Sequence, residues 1–297
     1  MRPPTSTSRA TLLVLVSACC FGSIAILITL AMRTGAALID VLVWRYAIAA
    51  VLLVIVSGGL STVRAAGGAA LPLLVFAGGG QAAIAFVSLS ALKYIPAASL
   101  TFLFYTYPAW VALISAIRGT ERLTATRLGA LALSLAGIAL MVGMPGSGGL
   151  NTVGVSLALA SALLYAMYIP MIDHFGRGLS PAVTAVFAAG GAAVVLLIAA
   201  LMQGGPSTHF TPSAWMAIAA LAVVCTVIAF IIFLKGLSII GPVRTAIIST
   251  IEPLWTALLG GVVLGQLLGP RTYAGGLLIA LAVILLQLPQ RAPAAQK

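Results

Sequence analysis

Two stretches of this chain repeat one another, and the copies have an odd number of apolar segments each. Tyr107-Pro108-Ala109-Trp110-Val111-Ala112-Leu113 is echoed by Glu252-Pro253-Leu254-Trp255-Thr256-Ala257-Leu258, an offset of 145 residues. Ser17-Ala18-Cys19-Cys20-Phe21 is echoed by Ser161-Ala162-Leu163-Leu164-Tyr165 at an offset of 144. A nearly constant offset at two distant places points to a duplicated unit. If each unit crosses a bilayer five times, the second copy enters from the opposite side. Inverted repeats of this kind build secondary transporters, with substrate held near the midplane between the halves.

A bilayer is the only solvent this composition suits. Apolar residues make up 62% of the chain and charged residues 6%, against roughly 25% charged in soluble domains. A hydrocarbon core of about 30 Å needs roughly 20 apolar residues per helix. Ten segments meet that length, near 10–32, 39–57, 69–91, 97–117, 126–144, 153–172, 181–202, 213–234, 242–265 and 272–288. Turn residues or charges separate them, among them Gly58-Gly59, Gly204-Gly205-Pro206 and Gly241-Pro242. The expected organisation is a tail at 1–9, a five-helix repeat at 10–145, a glycine-rich connector at 146–151, a second repeat at 152–288 and a tail at 289–297. The fold class is therefore an all-α polytopic membrane protein of ten transmembrane helices in two inverted five-helix repeats.

The net charge of +11 carries topology rather than nucleic-acid affinity, because the cations stand singly between apolar runs with no basic stripe. With the N-terminus cytoplasmic, eleven of the 15 Lys and Arg residues fall on the inner side. Only Arg33, Arg45, Lys93 and Arg271 fall on or near the outer side. That bias predicts both termini in the cytoplasm. Arg2 and Arg9 before an apolar run resemble a signal peptide, but the run continues to Met32, long enough to span. Cys19, Cys20 and Cys225 lie in apolar runs, without disulfide or metal-ligand spacing.

The acids are few: Asp40, Glu121, Asp173 and Glu252. Three stand near span ends. Glu252 stands within span nine beside Pro253, where an ionisable group is costly and marks a functional site by default. It reads either as a partner for a substrate ammonium or proton, or as a neutral donor to backbone freed by Pro253. Arg45, at the start of span two, suits a substrate carboxylate or snorkels to the interface beside Trp44 and Tyr46. Pro108 and Pro253 kink matching places in spans four and nine, and with Gly79 and Gly80 in span three they are candidate hinges. Tyr107, Trp110, Tyr165 and Trp255, with Gln81 and Ser249, complete a candidate substrate-binding set of aromatic and hydrogen-bonding groups. The chain shows no His-Glu-x-x-His, Gly-x-Ser-x-Gly or Walker sequence. The reading is thus of a non-enzyme with no catalytic residues, cofactor or metal.

The chain resembles the ten-span EamA-type branch of the drug/metabolite transporter superfamily. The resemblance is carried by Trp44-Arg45-Tyr46, by Tyr94 through Pro108 to Glu121-Arg122-Leu123, Gly129 and Gly137, and by Leu237 through Glu252-Pro253, Gly265-Gln266-Leu267 and Gly275. In one departure, Gln266 stands where the first half has Glu121. The resemblance implies an inner-membrane carrier working by alternating access, commonly an exporter, and is compatible with export of amino acids, aromatic ones included. A multidrug or organic-cation exporter, a sugar or nucleoside carrier, and a membrane scaffold or enzyme are the alternatives. The partners expected are a small-molecule substrate and the lipid bilayer, not nucleic acid. Proton coupling through Glu252 and a purely gradient-driven facilitator both fit, and the sequence carries no signal for an oligomeric state.

Overall fold

The chain is described here by a computed structural model covering residues 4–91, 93–95, 97–120, 123–142, 151–265 and 269–287. Glu121, Gln266 and the glycines at 146–149 lie outside the described residues. Among the described residues ten apolar spans follow one another, seven of them long and apolar enough to cross a membrane and three built on shorter apolar helices. Span one is Pro4–Gly22 and Ile24–Met32, span two Leu38–Val56, and span three Gly67–Ala69 through Gly80–Ala91. Span four is Ala97–Phe104 and Tyr107–Ile117, and span five is Ala125–Val142. Spans six and seven are Thr152–Phe175 and Pro181–Leu201. Span eight runs from Pro212 to Ile240, span nine is Pro242–Ser249 and Glu252–Leu264, and span ten is Pro270–Gln287. No strand occurs among the described residues.

Local chemistry sets several of these boundaries. Asn151 accepts from the N–H groups of Val153 and Gly154 at the start of span six. Ser180 and Thr211 do the same for spans seven and eight, each followed by a proline whose missing N–H costs nothing in a first turn. Span eight outlasts its expected end near residue 234, because nothing stops the helix before Gly241, whose φ of +80° ends it.

The principal packing contacts are preserved when span n is exchanged with span n + 5. Spans two and seven, four and nine, and five and ten pair with each other. Span one packs on span eight, and span three on span six. Span one also touches span nine, as span six touches span four. The relation is inverted. The start of span one meets the end of span eight, where a Cβ on Gly236 would lie 2.4 Å from Val14. The start of span six meets the turn that follows the end of span three, where a Cβ on Gly154 would lie 2.6 Å from Ile95. A pseudo-two-fold axis in the membrane plane relates the halves, and the core between them is where a transported solute would sit.

Candidate functional site

Proline chemistry opens two helices at the centre. Span four unwinds at Tyr105 and Thr106, and span nine at Thr250 and Ile251, positions separated by the same 145 residues as the repeated motif. Pro108 and Pro253 lack an N–H and crowd the preceding turn, so each helix stops and restarts with its proline in the new first turn. A threonine at each break donates to a carbonyl three residues back, Thr106 to Leu103 at 2.6 Å and Thr250 to Ile247 at 2.7 Å. Span one also breaks, at Ser23, whose hydroxyl donates to the Cys19 carbonyl at 2.9 Å.

The break in span nine places its acid. Glu252 is the first residue of the half-helix Glu252–Leu264, where unpaired N–H groups and the helix dipole favour a negative charge. Its carboxyl lies close to the Tyr105 hydroxyl, the residue at the matching break of span four. The two breaks thus meet through their side chains.

Glu252 looks into a cavity of about 160 Å³. Arg45 and Tyr46 of span two, Gln81 of span three, and Tyr165 and Tyr168 of span six share its wall. Phe104, Phe21, Phe230 and Phe233 supply much of the apolar remainder. Arg45 is 4% exposed and does not snorkel. Its Nε donates to Thr226 Oγ1 at 2.9 Å and its Nη2 to the Cys225 carbonyl at 3.3 Å. The guanidinium also sits 4.9 Å from the centre of the Tyr46 ring, within cation–π range. Gln81 donates to the Tyr46 hydroxyl at 3.1 Å.

Both arginine contacts depend on a π-helical turn, Val223–Ile228, which shifts carbonyls out of the regular ladder. Span three carries its own π turn, Leu73–Gly79, ending beside Gly80 and Gln81. The corresponding spans of both halves are therefore wound differently next to the cavity, a placement such turns often take at functional sites.

Of the candidate residues, the structure brings Arg45, Gln81, Tyr165 and Glu252 to one wall. Tyr107 stands behind it, 1% exposed, edge-on to Tyr165 at 4.7 Å, with its hydroxyl donating to the Ala246 carbonyl at 3.4 Å. Ser249 is buried beside that hydroxyl. Trp110 packs half-buried against the hydrophobic core. Trp255 turns instead to span one, its indole donating to Ser23 at 3.0 Å. Gly80 abuts Tyr168, whereas Gly79 has open space around it. Sequence reasoning passed over Phe230 and Phe233, whose spacing of three puts both on one helix face. Tyr168 also lines the cavity, with a buried hydroxyl that has no hydrogen-bond partner.

A model of the EamA-like transporter family matches residues 8–143 and again 152–288. The chain belongs to the EamA-like transporter family. It is 30% identical over 230 residues to an uncharacterised inner membrane transporter of Salmonella typhimurium strain LT2, covering 75% of this chain and 74% of that one. It is also 27% identical over 197 residues to an uncharacterised transporter of Archaeoglobus fulgidus, covering 66% and 69%. A protein of known crystal structure shares the fold, with a TM-score of 0.79, 22% identity and coverage of 95% of this chain and 97% of that one. The protein is therefore a multi-pass membrane transporter, and its cavity lies where the two matched segments face each other.

Proposed function

We propose that this transporter exports amino acids, aromatic ones included, across the inner membrane by alternating access, with both chain ends cytoplasmic. The observation that carries the reading is one carboxylate and one guanidinium in the wall of a small aromatic cavity. Arg45 is tied to Thr226 and Cys225, Glu252 stands near Tyr105, and among the described residues no ion pair joins the two charges to each other. A zwitterion presents the complement of both. Its ammonium pairs with Glu252, its carboxylate with the planar fork of Arg45, and its side chain with the tyrosine and phenylalanine rings.

Size argues in the same direction. A cavity near 160 Å³ is comparable to one that admits a benzene molecule, about 150 Å³, and falls short of the roughly 300–1,000 Å³ of drug-sized sites. A bulky organic cation needs more room, and a sugar or nucleoside more hydroxyl and amide partners than Gln81 and the tyrosines offer. Larger amino acids need the walls to part, and the paired breaks of spans four and nine are where they hinge. Proton coupling through Glu252 is the second reading, favoured by this acid's place in the cavity wall.

Purified protein in proteoliposomes, preloaded with one unlabelled solute and offered the same solute labelled, tests this. Amino acids are expected to give saturable counterflow, with sugars, nucleosides and bulky organic cations giving none. Repeating the assay across a pH gradient separates the coupled from the uncoupled carrier. Flux confined to organic cations sinks the amino-acid reading, and no flux with any solute sinks transport through this cavity.

Tyr107 gives a second expectation. Its ring and its bond to Ala246 close the antiparallel seam of spans four and nine between the cavity and the face where span nine starts, with Val111, Val243 and Ile247 buried beneath it. Tyr107→Ala removes a fully buried ring and is expected to raise passive amino-acid leak from loaded liposomes at least tenfold. A leak equal to that of the parent protein shows that Tyr107 is packing and not a gate.

A further inference from the structure

The seam closed by Tyr107 ends in an open mouth that the central site does not use. A cavity of about 400 Å³ lies between the ends of spans four, six and eight and the start of span nine, lined by Ser115, Arg118, Asp173, His174 and Arg177 among others. A neighbouring cavity of about 620 Å³ shares Asp173 and Arg177. Their shared wall carries an ion pair, Arg177 Nη2 to Asp173 Oδ2 at 3.1 Å, in which the arginine side chain is 70% exposed. Arg118 has no acid within ion-pair distance among the described residues. Among the described residues, two guanidiniums and one carboxylate face the mouth, with the His174 ring beside them.

Exposed arginines alone are ordinary at this end of a membrane helix. The second observation lies deeper. Ser115 is 1% exposed, lines the mouth, and its hydroxyl has no hydrogen-bond partner. A buried hydroxyl left unpaired costs about 1–3 kcal/mol, and its position one turn inside Arg118 makes it a ready donor to an anion drawn in by the arginines.

We propose that this mouth is a loading site for the carboxylate of the cargo, held by Arg118 and Arg177 with Ser115 as the inner donor, while the Tyr107 seam is shut. The proposal rests on the amino-acid reading for the identity of the cargo. The mouth needs only the carboxylate, whereas the central cavity needs carboxylate and ammonium together. Arg118 and Arg177 would raise the local concentration of an anionic head, and Asp173 would release Arg177 to it.

The test uses N-acetylphenylalanine, which keeps the carboxylate and lacks the ammonium. Ser238 borders both cavities, so Ser238→Cys, with Cys19, Cys20 and Cys225 changed to alanine, reports occupancy through its maleimide labelling rate in phosphatidylcholine nanodiscs. Saturating N-acetylphenylalanine is expected to slow labelling at least tenfold, and phenylalaninamide to leave it unchanged. Protection should vanish in Arg118→Gln/Arg177→Gln, persist in Arg118→Lys/Arg177→Lys, and persist in Glu252→Gln. Absence of protection, or protection indifferent to the glutamine pair, overturns the loading site. Protection lost with Glu252→Gln overturns it too, since the ligand would then sit in the central cavity. Amino-acid counterflow measured on the parent protein separates this failure from failure of the transport reading.

Discussion

Glu252→Gln is expected to lower amino-acid counterflow on the order of a hundredfold while leaving the protein folded. The substitution keeps the size and shape of the side chain and removes its charge. Leaving one charge of a buried pair without its partner costs about 3–5 kcal/mol, and each 1.4 kcal/mol is tenfold in affinity. Glu252 is the acid in the wall of the central cavity, so no neighbour there takes over the ammonium. Glu252→Asp retains the charge one methylene further back and should recover part of the flux. Initial rates of counterflow, set beside thermal unfolding of the same preparations, give the answer. Rates within threefold of the parent protein would mean that the ammonium is recognised elsewhere.

Gly78→Val is expected to prevent stable assembly, and Gly79→Val next to it to be tolerated. Spans three and seven cross backbone to backbone, and a Cβ on Gly78 would lie 2.4 Å from the Gly191 Cα and 3.1 Å from the Phe187 carbonyl oxygen. Both obstacles are main chain and cannot swing aside. Overpacking a well-filled site costs about 1–3 kcal/mol and sometimes more, and here it separates two helices along a long contact. Gly191 faces the same crossing, with Gly78 Cα 2.7 Å from its would-be Cβ, whereas Gly79 and Gly190 have nothing within 4 Å. The measurement is the yield of monodisperse protein on size-exclusion chromatography after detergent extraction. Equal yields for Gly78→Val and Gly79→Val would refute the crossing.

The large features of this molecule were legible in the sequence because they depend on local or additive physics. Apolar length sets a span, and proline breaks a helix wherever the tertiary structure puts it. The breaks at Tyr105-Thr106 and Thr250-Ile251 accordingly carry the 145-residue offset seen between the Tyr107-Pro108 and Glu252-Pro253 motifs. Features that depend on a partner were not legible. The two π turns leave no signature in an apolar run, and one of them is stabilised by Arg45 reaching from span two. Arg45 itself could be read either as an interfacial anchor or as a site residue until its burial was known. Trp110 and Trp255 sit at equivalent positions of the repeat but face different neighbours, because only Trp255 finds Ser23 at the break of span one. Phe230 and Phe233 were hidden among residues that, in a membrane span, look the same whether they face lipid or cargo.

Cargo is expected to lie between Glu252 and Arg45. An electron cryo-microscopy structure determined with saturating amino acid tests it most directly. Density for the ligand is expected in the cavity, its amino group within hydrogen-bonding distance of the Glu252 carboxylate and its carboxylate within reach of Arg45. Ligand density bound elsewhere in a protein that transports it, with this cavity empty, would contradict the account.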